Sequence, residues 1–140
     1  MNYTTLNLLF KYNKEFSHEK IRLQELSDTE CMICSYIYSH DNCSQDEVAL
    51  ALKTDKTTIG KALSSLEKKD CVTRKKLDTD MRVKHLSLTP KGIDKISGLI
   101  NLHDNWLNEI LKVLSPEEQK QFENYCERLL LSAEELANKK

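Results

Sequence analysis

Three times in this chain the same kind of four-residue signature precedes a run of spaced apolar residues: Ser27-Asp28-Thr29-Glu30, Ser44-Gln45-Asp46-Glu47 and Ser115-Pro116-Glu117-Glu118. Each reads as a capping box, in which the serine hydroxyl accepts from the amide three residues on and the glutamate carboxylate reaches back to the serine amide. A further helix start is Thr89-Pro90, an N-cap followed by the residue best suited to the first helical position. Leu26 and Cys31 flank the first box at the spacing of a hydrophobic staple. With only 3 Gly and 2 Pro among 140 residues, little material remains for glycine-rich phosphate loops, a dinucleotide-binding turn or an all-β sandwich. The chain therefore reads as mainly α.

Apolar spacing fills in the elements between these starts. Residues 3 to about 25 place Leu6, Leu9, Phe10 and Phe16 along one side of a helix. The second helix runs from the first box to about residue 39, and a polar turn, His40-Asp41-Asn42-Cys43, leads into a short third helix carrying Val48, Ala49 and Leu52. Beyond a break at Lys53-Thr54-Asp55, residues 56 to 69 place Ile59, Leu63 and Leu66 on one face and leave Lys56, Thr57, Gly60, Lys61 and Ser64 largely off it. Residues 72–77 and 83–88 are rich in apolar and β-branched side chains, which predicts a hairpin with a charged tip, Asp78-Thr79-Asp80-Met81-Arg82. Two long amphipathic helices follow. Their apolar faces, added to that of the first helix, exceed what so small a middle can cover, so a second copy of the chain is the expected partner.

The net charge of -1 hides an asymmetry. Residues 44–92 hold 11 Lys and Arg against 7 Asp and Glu, a net of +4, whereas the flanks hold 10 against 15, a net of -5. A basic middle favours double-stranded DNA as a partner. Two short helices joined by a tight turn, the second polar on its outer face, followed by a charged hairpin, describe a winged helix-turn-helix. In such a module, hydroxyls and cations near the start of the second helix meet phosphates and base edges in the major groove, and an arginine on the hairpin enters the minor groove. Thr57, Thr58, Lys61 and Arg82 are the leading candidates, joined by Lys56 and Ser64 on the same helix and by Arg74 and Lys76 on the first hairpin strand. The alternative is that these cations only solvate a surface. With it goes a second reading of the chain, a winged-helix protein-interaction module that does not read DNA.

The segments LSDTE, SQDEVALAL, DKTTIGKALSSLEKKDCVTRK, DTDMR and LTPKG follow one another in the order and spacing of the MarR family of bacterial transcriptional regulators, which the chain resembles over nearly its whole length. The resemblance implies a repressor that binds a near-palindromic operator as a triangular homodimer. Residues 27–88 would form the DNA-binding lobe, and residues 1–25 and 89–140 the interleaved dimerisation helices. It maps the family's acidic-x-arginine wing signature onto Asp80 and Arg82, with the carboxylate orienting the guanidinium. It also implies a small-molecule effector between scaffold and lobe, for which Tyr36, Tyr38 and Trp106 are wall candidates. Three departures from the family pattern stand out: Asp70 replaces a usual glycine, Gly60 replaces a frequent side chain, and the wing tip is about one residue shorter. Aspartate suits the first, because it tolerates a left-handed backbone.

Five cysteines, an odd number, and the lack of an export signal predict reduced thiols in the cytoplasm, most of them core residues. Cys34 falls in the apolar register of its helix, and Cys71 replaces a core leucine. Cys31-x-x-Cys34 lies within a helix and has no second pair at ligand spacing, so no metal site is expected, nor any cofactor. Cys43, beside the amino end of the third helix, is the thiol to test for redox sensing, since helix amides favour thiolate. His103 on the fifth helix is a candidate effector residue, with Cys31 or Glu30 able to face it. No apolar run is long enough to cross a bilayer. No nucleophile elbow, P-loop or dinucleotide fingerprint supports an enzyme.

Overall fold

The computed structural model describes residues 3–77 and 80–139, apart from the side chains of Leu77, Asp80, Met81, Arg82 and His103. The chain forms two compact units, residues 1–103 and 104–140. The first contains α1 (Tyr3–Leu23), α2 (Asp28–Ser39), β1 (Cys43–Ser44), α3 (Gln45–Ala51), α4 (Lys56–Lys68), β2 (Val72–Leu77), β3 (Asp80–Leu88) and most of α5 (Pro90–Leu111). The second contains the end of α5 and α6 (Pro116–Asn138).

All three capping boxes close in both directions, which fixes the starts of α2, α3 and α6 where the sequence puts them. A fourth start lies inside what the sequence presents as a break. Asp55 is the N-cap of α4, accepting from the Thr58 amide and from the Thr58 hydroxyl, each at 2.7 Å. These two bonds hold the exposed Asp55 carboxyl below its ordinary value. Just past the C-cap of α4, Asp70 holds φ at 58°, the left-handed conformation that its aspartate was expected to tolerate.

The strands form one antiparallel sheet in the order β1-β3-β2. Two expectations change here. Cys43 belongs to β1, a two-residue strand pairing Cys43 with Leu86 and Ser44 with His85, rather than to a free turn. The hairpin is also longer than its apolar composition suggests: β3 begins at Asp80, which pairs with Leu77 across a register shift, so Asp80, Met81 and Arg82 are strand residues. An irregularity of this kind lets poor strand formers join a ladder that composition alone would end. Asp78 and Thr79 lie outside the described residues.

The core of the first unit gathers one or two apolar side chains from each element. Ile33 and Ile37 of α2, Val48 of α3, Ile59, Leu63 and Leu66 of α4, Leu86 of β3 and Ile96 of α5 are all fully buried. The entry to α5 is tight. The Thr89 amide donates to Cys71 O and its hydroxyl to Asp70 O, while the Gly92 amide donates to Thr89 Oγ1 at 3.0 Å. A Cβ on Gly92 would stand only 2.2 Å from Cys71 O, so this approach requires glycine.

In the second unit, Gln119 Nε2 donates to the carbonyls of Leu111 and Leu114, tying α6 to the end of α5. No residue of α6 is buried, and Phe122, Tyr125, Leu129, Leu130 and Leu136 are exposed. Among the described residues, no helix is long and apolar enough to cross a membrane.

Candidate nucleic-acid interface

Helix α4 divides cleanly by face. Ile59, Leu63 and Leu66 have no exposed surface, and the helix turns Thr57, Lys61, Ser64 and Lys68 outward. Thr57, Gly60, Lys61, Ser64, Ser65, Lys68 and Arg74 line a shallow groove of about 560 Å³, with three cations and no carboxylate among the described lining residues. Hydroxyls and cations on a helix held outward by its own buried side are what phosphate and base-edge contacts need. Before the groove, α3 packs on α4, and behind it β2 pairs with β3. This is the helix-turn-helix with its wing.

The MarR family model matches residues 20–84, from the end of α1 through most of the wing. The chain is 28% identical over 118 residues to the transcriptional repressor MprA of Escherichia coli (strain K12), covering 83% of this chain and 67% of the relative. It is 23% identical over 137 residues to the HTH-type transcriptional regulator MhqR of Bacillus subtilis (strain 168), covering 98% and 94%. The fold matches a crystal structure of S. aureus MepR in complex with DNA at a TM-score of 0.81 and 24% identity, over 94% of this chain and 98% of that one. From residue 20 to residue 84 the chain is thus similar to the MarR family of transcriptional regulators.

Against the other MarR-family expectations the site residues divide. Thr57 and Lys61 are exposed on the groove, and Lys76 is exposed on β2. Lys56 is exposed and pairs with Asp46 at 3.3 Å. Thr58 is exposed, but its hydroxyl is engaged with Asp55. Ser64 is exposed, and its hydroxyl donates to Gly60 O. The wing residues Asp80 and Arg82 lie on β3, and their side chains are outside the described part of the molecule.

Arg74 is where the structure departs from the expected phosphate contact. Its Nε lies 2.8 Å from Glu67 Oε1, Nη1 donates to Gln45 Oε1, and Nη2 donates to Gly60 O and Ser64 Oγ. With only 16% of its side chain exposed, the guanidinium ties β2 to α3 and α4. Four partners drawn from residues 45 to 67 make this an internal brace. Gln45 completes it by donating to Lys56 O, and a Cβ on Gly60 would come within 3.1 Å of its Nε2. A side chain at this position would make Gln45 shift its amide by a few tenths of an ångström. Neither Gln45 nor Glu67 stood out in the sequence, because only the fold brings them to Arg74.

A separate cavity of about 530 Å³ lies in the first unit, against α1 and α2. Asn13, Lys14, Ser17 and His18 form one side; Cys31, Met32 and Tyr36 form the other. Tyr36 stacks on His40 with ring centroids 4.1 Å apart. Of the aromatic wall candidates, Tyr36 lines this cavity, Tyr38 is exposed, and Trp106 belongs to the second unit. His103 lies on α5, its side chain outside the described residues. Glu30 turns to Ser65 and Lys69.

The thiols follow burial. Cys34 and Cys71 are core residues. Cys34 is pushed up to about 12, first by burial and then by its neighbour Cys71. Burial and the nearby Glu47 carboxylate push Cys43 up to about 11, which corrects the expectation of a thiolate at the start of α3. The strand pairing that was illegible in the sequence is what buries it. Cys31 is also buried and raised, and Cys126 is exposed on α6.

Proposed function

We propose that this protein is a repressor that binds a near-palindromic operator as a homodimer and is released when a small molecule occupies the α1–α2 cavity. The carrying observation is the two-faced α4, apolar and fully buried on one side, cationic and hydroxyl-bearing on the other. In the proposed complex α4 enters the major groove, with Thr57, Lys61 and Ser64 at base edges or phosphates. Lys56, Thr58 and Lys76 flank the contact. Arg82 reaches the minor groove from β3, and Asp80 orients it. Arg74 supports the surface from behind.

Dimerisation answers the apolar faces left open in the single chain. On α1, Leu8, Leu9, Phe10 and Tyr12 are exposed, and α6 buries nothing. Burying two such helices against a second copy removes a large apolar area from water and sets two α4 helices on one duplex. The cavity wall combines Met32, Cys31, Ile21 and Tyr36 with Lys14, His18 and Asn13, which suits a small aromatic molecule with one polar end. MprA is by name a repressor and MepR has been crystallised on DNA, and both support this reading for a chain similar to the one in sequence and to the other in fold.

The test is selection of duplexes from a random-sequence DNA library by the full chain. The expected result is enrichment of an inverted repeat whose half-sites are about one helical turn apart. Enrichment of no sequence, together with salt-insensitive binding to another protein, would favour the interaction-module reading.

A further inference from the structure

The corner between α1 and α2 is fastened by side chains from two other helices. Lys95 of α5 donates from Nζ to Gln24 O at 2.6 Å. Lys69, the C-cap of α4, donates to Glu25 O at 2.7 Å and to the two Glu30 carboxylate oxygens at 2.9 and 3.0 Å. Ser65 of α4 donates to Glu30 Oε2 at 3.1 Å, and the Ser27 amide donates to Oε1 at 3.0 Å. Glu25 itself holds φ at 59°, so the chain turns sharply here. Both oxygens of the Glu30 carboxylate thus accept two hydrogen bonds, and only 7% of the Glu30 side chain is exposed.

Burial alone would raise the Glu30 carboxyl, but the Lys69 ammonium and the Ser27 amide outweigh it and hold the group below its ordinary value. The same α2 turn also supplies Asp28 and Cys31 to the cavity wall. One short stretch of α2 therefore touches the cavity on one side and the carboxy-terminal half of α4 on the other.

We propose that Glu30 is a positioning residue for DNA recognition: by holding Ser65 and Lys69 it sets the angle of α4 against α2 and couples displacement of the cavity wall to the recognition surface. The inference rests on the DNA-binding reading above. Glu30 is too buried to meet DNA, so its effect passes through α4. Removing one partner of a buried, hydrogen-bonded charge pair leaves the other free to shift, here a lysine at the end of the recognition helix.

The sign of the effect separates positioning from charge. Glu30→Gln preserves shape and removes a negative charge, so a purely electrostatic role makes the chain bind every duplex more tightly. Positioning makes it bind the selected duplex less tightly while a scrambled duplex of equal composition is held as well or better. The experiment measures both affinities for the full chain and its variants at one salt concentration. The ratio of selected to scrambled binding should fall about tenfold in Glu30→Gln and less in Ser65→Ala, the scale of one misplaced base contact. Lys69→Arg, which can still bridge the carboxylate, should keep most of it. An unchanged ratio in both Glu30→Gln and Ser65→Ala overturns the proposal. If Glu30→Gln does not fold, Lys69→Gln decides, since Lys69 holds the same carboxylate and is not among the residues lining the groove: a lower ratio in the folded variant supports the proposal, and an unchanged ratio overturns it. If the wild-type chain selects no duplex, the DNA-binding reading fails and takes this inference with it.

Discussion

Lys61→Ala isolates the outward face of α4 from its buried face. Lys61 is exposed and lines the groove between Thr57 and Ser64, about half a helical turn from the fully buried Ile59 and Leu63. Truncation there should change folding stability by no more than about 0.5 kcal/mol, because no core contact is lost. Its effect on DNA can be worked from counterion release. One phosphate contact contributes a slope of about 0.9 in log affinity against log salt, or roughly 1.2 kcal/mol at 0.1 M salt. A homodimer carries two copies, so Lys61→Ala should weaken binding by about 2.4 kcal/mol, roughly 60-fold, and make the slope shallower by about 1.8. Ile59→Ala should do the reverse, costing about 2 to 5 kcal/mol of stability through a core cavity. Fluorescence anisotropy on a selected duplex between about 50 and 200 mM salt, with thermal melts of each variant, measures both. If Lys61→Ala unfolds the protein or leaves affinity and slope unchanged, the assignment of α4 to DNA is refuted.

Leu129→Lys, on the uncovered face of α6, should shift the chain from dimer to monomer in sedimentation and weaken operator binding, although its added positive charge alone would strengthen it. The Glu30 ion pair contributes stability that is complete above the ordinary glutamate value of 4.5 and is lost as pH falls through the lowered folded value; acid melts should show this loss, and Glu30→Gln should flatten that limb. For Cys34 and Cys43 the sign is opposite. Their raised values protect stability below the ordinary thiol value of 9.0, and that stability declines as pH rises towards 11 and 12. In Leu129→Lys, where the α6 face is left uncovered, alkylation near neutral pH should modify Cys126 well before either of them, as peptide mass spectrometry would report.

What could be read in the sequence was local. Ser27, Ser44 and Ser115 name their partners three residues away, and Ile59, Leu63 and Leu66 declare a face by spacing alone, so helix starts and the phase of α4 were legible. Asp70 likewise carried its left-handed backbone in its residue type. The misreadings share one physical origin. Whether Arg74 faces phosphate or Glu67, and whether Cys43 is exposed or covered by a strand, depends on groups that only the tertiary fold brings together. The Glu30 clamp joins residues 35 and 39 positions apart and leaves no periodic trace. A two-residue strand such as β1 has too little sequence to display alternation.

The central claim is that two copies of this chain present two α4 helices to one duplex. Sedimentation equilibrium of the full chain with a selected duplex, repeated across a salt series, tests it directly. The account predicts a dimer in the absence of DNA, two chains per duplex in the complex, and log affinity that falls linearly and steeply with log salt. A stable folded monomer that binds one chain per duplex, or an affinity indifferent to salt, would contradict it.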